Sequence, residues 1–85
     1  MKKCVMNCTI LRGADTQVNE NIANKVFDNF IDAFDWLHVY LDNRDEKFET
    51  ENYFSAGSAD EQIALSRWDE QHNYWYTEIY NIEYV

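Results

Sequence analysis

Eighty-five residues leave room for one domain, and sixteen carboxylates against seven Lys and Arg give a formal net charge of −9. That balance argues against direct binding to nucleic acid or to an anionic membrane, and it suits the chain to a basic partner. Disorder is not expected despite the charge, because 46% of the residues are hydrophobic and 16% aromatic.

The opening Met1-Lys2-Lys3 leads into a mixed run without an apolar core or a small-residue cleavage site, so no secretory leader is expected. No stretch approaches the roughly 18 apolar residues of a membrane span. From Lys2 to Leu11 the side chains alternate: Cys4, Met6, Cys8 and Ile10 point one way, and Lys3, Val5, Asn7, Thr9 and Leu11 the other. This pattern predicts a half-buried strand. Four residues of strand separate the two cysteines by roughly 13 Å, too far for a disulfide, which needs Cα atoms within about 7 Å. Two free thiols on an inward face imply a reducing, cytoplasmic setting. Arg12-Gly13-Ala14-Asp15 reads as a turn.

From about Val18 to Leu41 the period lengthens. Ile22, Val26, Phe27, Phe30, Phe34, Leu37 and Leu41 recur at three to four residues, which predicts an amphipathic helix of about six turns. Its opposite face would carry Asp28, Asp32, Asp35 and Asp42 in one stripe. Asp42 to Glu51 is a charged connector, and Asn52 to Ser58 a loop around Gly57. Ser58-Ala59-Asp60-Glu61 matches a capping box, which favours a second helix from Ala59 to about Glu70 over a strand. Tyr74 to Val85 is aromatic, β-branched and alternating, and reads as a strand.

Reactive chemistry finds little support. Asp42-Asn43-Arg44-Asp45-Glu46 superficially suggests a calcium loop, but Lys47 stands where the sixth-position Gly is needed and Tyr53 where the Glu is needed. Cys4 and Cys8 with His38 and His72 lack the spacing of a zinc site. No glycine-rich phosphate loop is present, and an open acidic surface does not raise carboxyl pKa values selectively as a cleft would. No cofactor and no enzymatic activity are expected.

The acid itself is the functional signal. Twelve of the sixteen carboxylates lie between Asp28 and Glu70, opposed there by Arg44, Lys47 and Arg67. Ordinary helix surfaces mix charge signs. Duplex DNA carries one charge per about 1.7 Å of axis. The helical stripe alone is sparser, but Asp45, Glu46, Glu49 and Glu51 of the connector would bring the density close to it.

Size, acidity and the order of short strand, acidic helix with "FIDAFDW", charged connector and Tyr-rich strand resemble the small phage-encoded DNA-mimic inhibitors of anti-CRISPR and antirestriction type. Those families share charge distribution more than sequence, so no motif carries over. The segments "MKKCVMNCTILR" and "NFIDAFDWL" are also similar to the barstar family of acidic ribonuclease inhibitors, over about a quarter of the chain. The spacing between the two segments and the C-terminal half depart from that family, whose parallel sheet and extra helices this chain does not suggest. Both resemblances imply an intracellular protein that blocks a nucleic-acid-handling partner with carboxylates.

The expected fold is α+β: a long amphipathic helix packed on a small antiparallel sheet of the first and last segments, with a second short helix between. The expected function is inhibition of a basic nucleic-acid-binding protein by mimicry, through Asp28, Asp32, Asp35, Asp42, Asp45, Glu46, Glu49 and Glu51. The alternative is a non-enzymatic assembly or regulatory module that forms a homodimer, or binds a partner, through Tyr76, Tyr80 and Tyr84 of the last strand.

Overall fold

The structure, a computed structural model, describes residues 2–44, 50–56 and 60–85, with the backbone alone for 50–56, 60 and 61. Five strands and one helix make it up: β1 (Cys4–Arg12), β2 (Asp15–Asn19), α1 (Phe30–Asp42), β3 (Thr50–Ala56), β4 (Asp60–Asp69) and β5 (Tyr74–Tyr84). All strands join one antiparallel sheet in the order β2-β1-β5-β4-β3. The fold is therefore sheet-dominated, which corrects the expected α+β arrangement of a long helix and a second short helix.

The alternation in β1 sets which face is buried. Cys4, Met6 and Cys8 are buried, opposite Tyr84, Ile82 and Tyr80 of β5. Ile63 and Leu65 of β4 extend the same face, and Ala33 and Leu37 of α1 close it. The β1–β2 turn needs its glycine. Gly13 adopts φ +60°, and an added Cβ would sit 3.2 Å from the Tyr74 ring.

The helix is half the expected length. Residues 20–29 instead form turns held to the first half of β1. The Asn21 amide donates to Asn7 Oδ1 at 2.8 Å, and the Ile22 amide to the Met6 carbonyl at 2.8 Å. Cys4 and Phe27 exchange amide–carbonyl bonds at 3.0 and 2.8 Å. Asn21 and Asn24 take φ of 48° and 56°, which a helix does not allow and which asparagine tolerates better than most residues. Phe27 is buried through this bridge, while Val26, expected on the apolar helix face, is exposed.

The second helix and the Asn52–Ser58 loop are corrected as well. Thr50–Ala56 and Asp60–Asp69 are strands, paired from Thr50 opposite Ser66 to Ala56 opposite Asp60. Ser58, Ala59 and Gly57 of the supposed capping box and loop lie outside the described residues. In β4, Ile63 and Leu65 face inward and Ala64 and Ser66 outward, a period of two rather than 3.6. Pairing with β5 on one side and β3 on the other outweighs the local capping signal. Among the described residues no helix is long and apolar enough to cross a membrane.

Candidate functional site

Helix α1 carries the acidic face. Asn29 caps it: its Oδ1 accepts from the Asp32 amide at 2.9 Å, and its Nδ2 donates to Asp32 Oδ2 at 3.3 Å. Asp32 also stands in the first turn, where the helix dipole favours a negative charge. The inward face centres on Ala33 and Leu37. Phe30 and Phe34, expected at the centre of the buried stripe, flank it half-buried, stacked on each other at 5.5 Å. On the other flank Trp36 stacks on Tyr40 at 5.0 Å.

The outward face holds Asp32, Asp35 and Asp42, all exposed, with Ile31 at 67% and Val39 at 60% exposure among them. Asp28 is exposed too, but it precedes the cap and so stands beside the helical stripe rather than in it. Along the axis Asp32 and Asp35 are about 4.5 Å apart, and Asp35 and Asp42 about 10 Å. No Lys or Arg occurs within the helix, and none stands in its last turn to oppose Asp42. Asp45, Glu46 and Glu49 lie outside the described residues. Glu51 lies on β3, where the backbone alone is described.

The three arginines gather elsewhere, on the sheet's inner face beyond the helix. Arg44 follows the helix and forks onto Glu78: Nη1 donates to Oε1, and Nη2 donates to Oε2 at 2.9 Å. Nη1 also donates to Tyr80 Oη at 2.8 Å. Tyr80 Oη donates to Glu78 Oε1, and Tyr76 Oη to Oε2 at 2.8 Å. One row further along this face, Arg12 of β1 and Arg67 of β4 flank Tyr76 and lie over its ring, at 5.7 and 4.6 Å from its centroid.

Glu78 is the one buried charged residue among those described, 3% exposed. Burial pushes its carboxyl up, but the hydrogen bonds from Arg44, Tyr80 and Tyr76 outweigh burial and hold it below the usual glutamate range. Burial, and then the bond to Glu78, push the Tyr80 hydroxyl far up. Burial likewise takes the Cys8 thiol up to about 11. An ionised carboxylate with its acceptor sites filled, a protonated tyrosine and a protonated thiol do not make an acid–base or nucleophile pair. The cluster clamps the end of α1 to β5. A cleft of about 330 Å³ opens above it, lined by Ile22, Tyr40, Arg44, Tyr76 and Glu78.

The three tyrosines proposed for an interface do not share a surface role. Tyr80 is 1% exposed and belongs to the core, Tyr76 is half-buried under the arginines, and Tyr84 is half-buried beside the start of the helix. Strand β5 is the middle strand of the sheet, with β1 and β4 bonded along its two edges, so a partner's strand cannot pair with it. Cys4 and Cys8 are free and buried, and the Cys4 thiol donates to the Asn29 carbonyl at 3.3 Å. His72 sits in the β4–β5 turn against Asp69 at 2.9 Å, and His38 lies edge-on to Phe34. Among the described residues no group of His, Cys, Asp and Glu is arranged to hold a metal ion.

Sequence reasoning missed Arg44 and Glu78 as a pair. They are 34 residues apart, and the only signal was a lone Glu on the tyrosine-rich parity of β5. No family model, curated protein or solved structure matches the chain.

Proposed function

We propose that this chain is a non-enzymatic inhibitor that sets the acidic face of α1 against the basic nucleic-acid site of a protein partner. The observation that carries this reading is the charge segregation. Asp28, Asp32, Asp35 and Asp42 are exposed with no basic residue in the helix, while Arg12, Arg44 and Arg67 turn to the sheet's inner face. Ile31 and Val39 give the same face aliphatic contacts. A face of carboxylates with buried-on-contact aliphatics suits a protein partner better than a purely solvated surface does. Asp42 strengthens the case. A carboxylate at a helix C-terminus opposes the dipole, so its place there serves something other than helix stability.

The test is a triple variant, Asp28→Lys, Asp35→Lys and Asp42→Lys, which leaves the Asn29–Asp32 cap in place. The variant should fold as the parent does and lose affinity for a captured basic partner by about a hundredfold or more, mainly through slower association. The parent complex should weaken as salt rises. Full binding by the variant would move the interface off this helix.

A further inference from the structure

The sheet has a second face, and no described element covers it. Helix α1 closes the inner face with Ala33 and Leu37. On the outer face the middle two of the rows that cross β1, β5 and β4 are Thr9, Ile79 and Ala64, then Leu11, Thr77 and Ser66. The row beyond is the pair Trp75 and Trp68, edge to face at 5.6 Å and 49% and 38% exposed. Val18 of β2 extends the first row at 61% exposure. The polar groups in these rows are neutral, and Ser66 and Thr77 hydrogen-bond each other at 2.9 Å. No charged side chain stands among them, in a chain with 23 ionised side chains in 85 residues; the next row, Asn7, Asn81 and Gln62, is neutral too, and Glu83, which accepts from Asn7 at 2.7 Å and from Asn81 at 2.9 Å, marks the charged edge.

We infer that this outer face is a homodimer interface, covered by the same face of a second copy of this chain. Charge decides the occupant. A basic partner gains little from a face whose described carboxylate, Glu83, stands at its edge. A second copy, which carries the same −9, would be repelled at every acidic surface and meets least repulsion here. Sheet-on-sheet packing gives four layers, helix, sheet, sheet, helix, with the sheets about 10 Å apart. The two acidic helices then lie about 30 Å apart on opposite outer sides. That separation is several times the Debye length of about 10 Å in moderate salt, so their repulsion is screened.

The area is sufficient. The five strands hold 42 residues, which at about 4.8 Å spacing and 3.3 Å rise span about 670 Å² per copy, Glu83 at the edge included. That is at the low end of the roughly 600–1,000 Å² that a stable interface takes from each partner. The Trp68–Trp75 pair supplies the aromatic contacts that such interfaces favour. The dimer does not depend on the proposed inhibitor role, and it would make that role bivalent, with one acidic helix on each outer side.

The test is sedimentation equilibrium on the full chain over about 1–200 μM, with the fold checked by circular dichroism. The parent should approach twice the chain mass, and added salt should leave the dimer unchanged or tighten it. This is opposite to the effect expected on the partner complex, so failure of one reading is distinguishable from failure of the other. Ile79→Lys, at the centre of the face, should weaken dimerisation by about a hundredfold. Trp75→Lys, half-exposed at the start of β5, should also weaken it and decides the matter if the Ile79 variant fails to fold. Asp35→Lys should remain dimeric. A parent that is monomeric across the range, or a folded Trp75→Lys variant that dimerises as the parent does, would overturn the inference.

Discussion

Glu78 is the residue on which sheet and helix meet. Its carboxylate accepts from Arg44, Tyr80 and Tyr76, and these bonds outweigh the cost of burial. Because its folded pKa lies below the ordinary value of 4.5, its contribution to stability is fully present above that value. The contribution is lost as pH falls through the lower, folded value. Glu78→Gln should cost about 2–4 kcal/mol at neutral pH, since it leaves the Arg44 charge without its counter-ion. The gap between parent and variant, measured by urea unfolding, should shrink as pH drops below about 4.5. A gap that stays constant through that acid range would show that the charge of Glu78 does not hold the clamp.

At the scale of elements, α1 shows what the sequence makes legible. The parity of β1 is plain because Cys4, Met6 and Cys8 alternate with Val5, Asn7 and Thr9, and the buried face follows directly. The outward placement of Asp32, Asp35 and Asp42 is legible for the same kind of reason, a period of three to four over a real helix. The helix start is not legible from apolar spacing alone. Ile22, Val26 and Phe27 fit a helical stripe by chance, while Asn21, Asn24 and Asn29 mark two left-handed residues and a cap. Four asparagines from Asn19 to Asn29 were the available signal. Strand β4 shows the reverse error. The capping-box sequence at its start favours a helix over the alternation of Ile63, Leu65 and Arg67 with Ala64, Ser66 and Trp68, and only pairing on two sides decides such a segment. The acids of α1 should differ in their effect on stability. Asp42→Lys should raise stability by about 0.5 kcal/mol by reversing an unfavourable dipole contact, whereas Asp32→Lys should lower it by about 1 kcal/mol through the cap and the dipole. Thermal melts of the two single variants check this, and equal shifts of the same sign would contradict the helix assignment.

Across the whole molecule, charge is sorted by surface. The exposed helix face is acidic, the inner face beyond the helix gathers the arginines, and the outer sheet face is neutral in its middle rows. This sorting is a tertiary property: Arg12, Arg44 and Arg67 are scattered in the sequence, and the sheet register, with the seating of the helix end on Glu78, brings them to one end. The acid cluster was visible in the sequence, but its separation from the arginines was not. The function proposed for the acidic helix face is to occupy a partner's nucleic-acid site. The most direct test is a competition binding assay between this chain and DNA or RNA for the purified basic partner at low salt. Nucleic acid should displace the chain in proportion to its own affinity, and the Asp28, Asp35 and Asp42 triple Lys variant should fail to displace nucleic acid. A ternary complex, with nucleic acid and this chain bound to the partner together, would contradict the claim.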